Sequence, residues 1–201
     1  MRADRLLSLL LAGALLAMAS CTRCGCSAQL SAPASVGSAQ EQRQGGDRMS
    51  FALKSTAFSH GGEIPKRYRC DGADISPALS WEDLPAGTLS LALIADDPDA
   101  PGGTWTHWLI WNISPQSAQL PEDLPAVAAL DDGERQGKND FQRMGYGGPC
   151  PPPGKTHRYF FKLYALDSRL DLQAGAARNE LELAMKGHVL AQADWMGTYR
   201  R

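Results

Sequence analysis

The sequence predicts a mainly β domain, a sandwich or a folded antiparallel-rich sheet, over residues 49–201. Three runs carry strand composition: 89–95 (LSLALIA), 105–113 (WTHWLIWNI) and 158–166 (RYFFKLYAL). A single credible helix comes late in the chain. Strands and helices do not alternate, which argues against a parallel, Rossmann-like sheet.

Taken in order, residues 51–58 (FALKSTAF) read as an opening strand, broken by Gly61, Gly62 and Pro65. The 89–95 run has no polar alternation beyond Ser90 and suits a strand buried on both faces. The 105–113 run is dense in aromatics, and 158–166 is a third strand. Between them, 96–104, 114–125 and 145–156 are rich in Pro and Gly and read as loops, where binding residues concentrate. A helix is expected between Gly175 and Gly187, with Glu180 and Glu182 in its first half and Leu181, Met185 and Leu190 marking its apolar face. A short strand over 194–199 (DWMGTY) closes the chain.

The first 48 residues have a different character. Arg2 and Arg5 precede an apolar stretch over residues 6–18. A membrane-spanning helix needs roughly 20 apolar residues, so this stretch is too short to span and has the length of a secretory signal. It ends in Ala19-Ser20-Cys21, which resembles a bacterial lipobox, so residues 1–20 are expected to be a lipoprotein signal peptide and Cys21 the lipidated residue. Multiple acyl chains suffice for stable anchoring. Residues 21–48 are rich in Ser, Ala, Gln and Gly and cannot bury enough surface to offset their ordering entropy, so they read as a flexible tether. Cys24 and Cys26 lie in it without a local His or further Cys; they read as incidental or mutually oxidised thiols rather than a metal site. The expected location is the cell envelope, lipid-anchored, with Thr22 after the cysteine favouring the outer membrane or periplasmic face in a Gram-negative host.

The net charge is −2 at pH 7. Residues 49–201 are more acidic still, since the extension holds an excess of arginine. No basic run with interleaved aromatics is present, and a nucleic-acid partner is not expected.

Four segments stand out as chemistry-bearing: Tyr68-Arg69-Cys70-Asp71-Gly72 with Ser76-Pro77 and Trp81; Asp97-Pro98-Asp99-Ala100-Pro101; Thr106-His107-Trp108; and Gly147-Gly148-Pro149-Cys150-Pro151-Pro152 with His157-Arg158-Tyr159. In this order, and with the closing Gly187-His188-Val189-Leu190-Ala191 and Met196-Gly197-Thr198-Tyr199, they resemble the phosphatidylethanolamine-binding protein family, most of all its bacterial YbhB/YbcL-like, Raf kinase inhibitor-like branch. The resemblance spans nearly the whole domain. It implies a β-sandwich with a large central sheet, a C-terminal helix and a small anion pocket formed by Asp97, His107, Gly148 and His157, with Tyr159 nearby.

The residue chemistry is compatible with that pocket. Two imidazoles can donate to phosphate oxygens and can charge near neutral pH. Glycine N–H groups at Gly147 and Gly148 could approach an anion closely. Asp97 would orient an imidazole and could reach a ligand amine. A lone histidine in a strand is more often a core residue; the paired motifs favour the pocket. Asp99 reads as structural, and Arg158, on the face opposite His157 and Tyr159, as paired with an aspartate of the Asp97–Asp99 segment. The prolines stiffen both loops, and the resemblance suggests a cis bond in the first. Cys70 and Cys150 each sit in a motif loop. Export would place them in an oxidising compartment, so they are either a disulfide or two buried thiols.

The functional expectation is non-enzymatic binding, with no cofactor, of an anionic or phosphorylated ligand such as a phospholipid head group. A regulatory protein partner, bound in the manner of a kinase or protease inhibitor, is its second form. The alternative is a hydrolase, metal-dependent or acid–base, using Asp97, His107 and His157; the chain lacks the nucleophile and metalloprotease motifs that would single it out.

Overall fold

The computed structural model describes residues 50–201; the signal-like segment, Cys21, Cys24, Cys26 and the tether lie outside the described residues. Two antiparallel sheets dominate. Strands β1 (Ala52–Lys54), β2 (Leu79–Glu82) and β5 (Gln119–Leu120) form a three-stranded sheet in the order β1-β2-β5. Strands β3 (Ser90–Asp97), β4 (Trp105–Ile113), β6 (Arg135–Gln136), β7 (His157–Leu166) and β8 (Val189–Tyr199) form a five-stranded sheet in the order β6-β4-β3-β7-β8. The helix α1 spans Arg178–Met185. The expected mainly β, sandwich-like fold is the observed one.

The apolar run in β3 is continuous because β3 is the middle strand, with a core on each side. Leu91, Leu93 and Ala95 join Leu53, Leu79, Trp81 and Leu120 of the small sheet in the core between the sheets. Ala92 and Ile94 face the other way, against Leu181 and Met185 of α1. In β7 the alternation is visible as well: Tyr159, Phe161, Leu163 and Ala165 are buried toward the sandwich core, while Arg158 is exposed. Burying the larger of these side chains stabilises the fold by about 1.5–3 kcal/mol each.

Two β-bulges shape β4. Its register against β3 shifts between Ala95 and Asp96, with Ala95 opposite Trp108 and Asp96 opposite Thr106, so His107 is the extra residue. A second shift leaves Asn112 extra, at φ 59°. Asn112 uses its side chain to hold the loop beyond β7: its Nδ2 donates to Leu170 O (3.0 Å) and its Oδ1 accepts the Leu170 N–H (2.8 Å).

The structure departs from the sequence expectations at several points. The opening strand is only Ala52–Lys54, because Ser55 Oγ donates to Ala78 O (2.7 Å) and accepts the Ala57 N–H (3.1 Å), which turns the chain out of the sheet. The last strand begins at Val189 rather than at residue 194. Gly187, at φ 87°, ends the helix, and Asp167 N–H donates to His188 O to return the chain to the sheet. Leu190 therefore lies in β8 and is exposed, not on the helix face. The helix starts at Arg178, with Glu180 Oε2 accepting the Ala177 N–H (2.7 Å), one half of a capping box. No cis peptide bond occurs among the described residues, so the Asp97–Pro101 turn is all trans. Among the same residues no helix is long and apolar enough to cross a membrane.

Candidate functional site

β3 ends, β4 and β7 begin, and β8 ends at one edge of the large sheet. Asp97 is the last residue of β3 and His157 the first of β7, and the two meet side by side: His157 Nδ1 lies 2.7 Å from Asp97 Oδ2, both side chains buried. Asp97 Oδ1 accepts the Asp99 N–H (2.8 Å), so both carboxylate oxygens have protein partners. His107 comes from the neighbouring strand, and the bulge in β4 sets its direction. Strict alternation would place it with Leu109 and Trp111 toward α1; the extra residue turns it, like Trp108, toward the sandwich side, where Asp97 also points.

His107 Nδ1 lies 2.6 Å from Gly147 O. A carbonyl can only accept, so Nδ1 carries the proton. Asp97 Oδ2, as the acceptor at 2.7 Å, favours the same tautomer of His157. Each ring therefore presents Nε2 as its outward atom, and neither Nε2 is sealed in the interior without a partner. Burial pushes the His107 pKa down from its ordinary value, against the opposing pull of the Gly147 carbonyl and of the Asp97, Asp96 and Asp140 charges. His107 is accordingly neutral at pH 7 in the unliganded protein.

These three side chains line a cavity of about 190 Å³ together with Ala100, Pro101, Trp105, Phe141, Cys150, Pro151 and Pro152. Both proline-rich loops contribute to its wall. Trp105 is 38% exposed and stacks edge-on against Phe141, which in turn stacks edge-on against His107, each at 5.4 Å between ring centroids. The sequence reading missed Phe141, which lies in the 137–148 loop folded back along β4; Asp140 Oδ2 accepts the Thr106 N–H (2.6 Å) and fixes that loop.

Tyr159 packs edge-on to His107 at 5.2 Å. Its hydroxyl is buried beside Asp97 without closing a hydrogen bond to it, and burial first, then the Asp97 charge, push its pKa well above the tyrosine range. It supports the cavity from behind rather than lining it.

Gly148 is a correction. Its N–H donates to Asp74 Oδ1 (2.6 Å), and the Gly147 N–H donates to His107 O (2.9 Å), so neither is available to an anion. Glycine is required there by close packing instead. A Cβ on Gly148 would stand 2.4 Å from Tyr68 O, and one on Gly147 2.7 Å from the Phe141 ring. Asp74 also pairs with Arg143 (3.0 Å), and Tyr146 Oη donates to Tyr68 O (2.8 Å), tying the 143–150 loop to the 68–74 segment.

Cys70 and Cys150 form a disulfide across these two segments, with Cα atoms 5.4 Å apart. Arg158 pairs with Asp99 through its Nε (2.8 Å) and Nη2 (2.7 Å), and its hydrogen-bonded guanidinium holds the Asp99 pKa down to about 2. The pair forms as expected, but half-exposed rather than buried. On the reverse face of the sheet, fully buried Asp96 pairs with Lys162 Nζ (2.7 Å) and Arg178 Nη1 (2.8 Å), joining β3, β7 and α1 directly behind the cavity. The sequence reading passed over it.

A family model described as "Phosphatidylethanolamine-binding protein" matches residues 54–200. The chain is 56% identical over 149 residues to a UPF0098 protein of Methanothermobacter thermautotrophicus, covering 74% of this chain and 98% of that one. It is 55% identical over 149 residues to a UPF0098 protein of Aquifex aeolicus, covering 73% and 86%. Among solved structures, a phosphatidylethanolamine-binding protein homologue from Chlamydia trachomatis superposes with a TM-score of 0.68 at 43% identity, over 76% of this chain and 98% of the other. Escherichia coli YbcL, described as a member of the mammalian family, gives 0.68 at 32% identity, over 75% and 98%.

Proposed function

This chain belongs to the phosphatidylethanolamine-binding protein family, and on that footing we propose that it works by non-enzymatic binding of a small anionic or phosphorylated group in the cavity between Asp97, His107 and His157. One observation carries the reading: two imidazoles have their inner nitrogens fixed, by Gly147 O and by Asp97, and turn their Nε2 atoms outward in one cavity. In the neutral rings Nε2 is an acceptor. It becomes a charged donor only on protonation, so an ionised phosphate draws protons onto the rings as it binds.

The cavity, at about 190 Å³, lies below the roughly 300–1,000 Å³ of drug-sized pockets. That size supports a head group with any acyl chain left outside, past the exposed Trp105. The alternative use of Asp97 and the two histidines as a metal triad is disfavoured, because Asp97 already serves His157 and the Asp99 N–H. The lipoprotein reading of Cys21 completes the proposal: an acylated Cys21 would hold the domain at the cell envelope. Labelling cells with an azido fatty acid tests it, since wild type should be tagged and Cys21→Ala not; equal tagging of both refutes the anchor.

Calorimetry tests the cavity. Inorganic phosphate and phosphoethanolamine should bind best at low pH and weaken as pH rises through the histidines' bound-state pKa. His107→Ala or His157→Ala should each cost about 1.5–3 kcal/mol of binding, the range for hydrogen bonds to charged groups. Undiminished phosphate binding by both variants removes the histidines from the site.

A further inference from the structure

The Cys70–Cys150 disulfide reaches into the wall of the ligand cavity. Cys150 forms part of the cavity wall, and both cysteines are only half-buried. The two segments it joins are already held together by other bonds: Gly148 N–H to Asp74, Tyr146 Oη to Tyr68 O, Arg143 to Asp74, and Cys70 N–H to Pro149 O (3.2 Å). Opening the disulfide therefore leaves the wall standing and adds a thiol to it. The two sulfurs are also unequal. Arg201 Nη1 lies 3.8 Å from Cys150 Sγ, whereas Cys70 has no cation on its sulfur among the described residues. A guanidinium beside a sulfur stabilises its thiolate and makes it the better leaving group in thiol–disulfide exchange.

We propose that Cys150 is a thiol-modification site inside the ligand cavity, uncovered by attack of a small thiol on Cys70. In the first step a glutathione thiolate forms a bond to Cys70 Sγ. The Cys70–Cys150 bond breaks, and its electron pair leaves on Cys150 as a thiolate beside Arg201. A second glutathione thiolate attacks the mixed disulfide and releases Cys70. The net change is one glutathione disulfide formed and two protein thiols gained, with the two protons coming from the two glutathione thiols. Alkylation of the freed Cys150 then puts a group into the cavity itself, so the redox state of the surroundings controls access to it.

The test uses the full chain in detergent, exposed to glutathione under native conditions, quenched with iodoacetamide and mapped by mass spectrometry. The map reads Cys70 and Cys150 separately from Cys21, Cys24 and Cys26. The expected first product carries glutathione on Cys70 and the alkyl group on Cys150, and Arg201→Gln slows its formation several-fold while near-UV circular dichroism is unchanged. Cys70→Ser, which frees Cys150 without exchange, should be alkylated at Cys150 in the folded protein, more slowly once Arg201→Gln is added. The reverse map, with glutathione on Cys150, overturns the proposal. So does a disulfide that opens only after guanidinium unfolding, or an exchange rate indifferent to Arg201→Gln.

Discussion

Removing the disulfide by the double substitution Cys70→Ser and Cys150→Ser should lower stability by an amount the chain separation fixes. The bridge closes a loop of 80 residues. In the chain-entropy model such a closure is worth about 4.5 kcal/mol at 25 °C through restriction of the unfolded chain. Native domains have about 5–15 kcal/mol in total, so the variant should remain folded at 25 °C with a reduced margin. For a domain of this size the guanidinium dependence is about 4 kcal/mol/M, and the unfolding midpoint should fall by about 1 M. The assay is guanidinium unfolding followed by tryptophan fluorescence, with wild type kept oxidised; wild type under reductant should approach the variant. A midpoint unchanged between oxidised wild type and the variant would show that the bridge is not formed in the protein. A variant unfolded at zero denaturant would show that the Asp74, Tyr146 and Pro149 bonds do not hold the two segments together on their own.

Gly148→Ala should cost about 1–3 kcal/mol, because its Cβ meets Tyr68 O at 2.4 Å and displaces the Asp74 bond; a thermal melt as stable as wild type would show that the 68–74 segment yields. Asp96→Asn leaves Lys162 and Arg178 without their shared anion, and the loss should fall toward the low end of the roughly 3–5 kcal/mol seen for broken buried pairs, since both cations reach water; denaturant unfolding measures it. The His107 pKa is depressed in the folded state, so protonation favours the unfolded chain: stability should be fully present above the unfolded value of about 6.5 and fall as pH drops below it. Melting temperatures at pH 8 and pH 5.5 should differ more for wild type than for His107→Gln, and equal differences would show that His107 is not the group responsible.

The large sheet was legible because its three central strands are written in apolar and aromatic residues, and because burial on both faces of β3 leaves no polar alternation. The short strands β5, in the small sheet, and β6, at the edge of the large one, were not. β5 and β6 have two residues each, too few for any period, and their pairing is decided by partners far away in the chain. Asp97, His107 and His157 were legible as a group only through the order of their motifs. Alternation alone would have sent His107 to the wrong side of the sheet, since a bulge is set by register against β3 and leaves no local mark. The role of Gly148 was misread for a related reason: glycine is equally compatible with a ligand and with a neighbouring carbonyl at close range, and here the neighbour is Tyr68. Phe141 had no motif around it. Asp96 did carry a signal, because an acid inside a strand buried on both faces needs a cation, and Lys162 lies on the adjacent strand β7, two residues from Phe160, the partner of Asp96, and so on the same face.

The most direct measurement of the central claim is an NMR titration of the His107 and His157 rings, followed across pH with and without inorganic phosphate. In the unliganded protein both rings should be in the tautomer protonated at Nδ1, and His107 should titrate below its ordinary value. Phosphate should raise both ring pKa values and bring signals from protonated Nε2 into exchange-protected contact with the anion. Phosphate that leaves both titration curves where they were would contradict the cavity's role, and these histidines would then belong to the packing of the sheet edge.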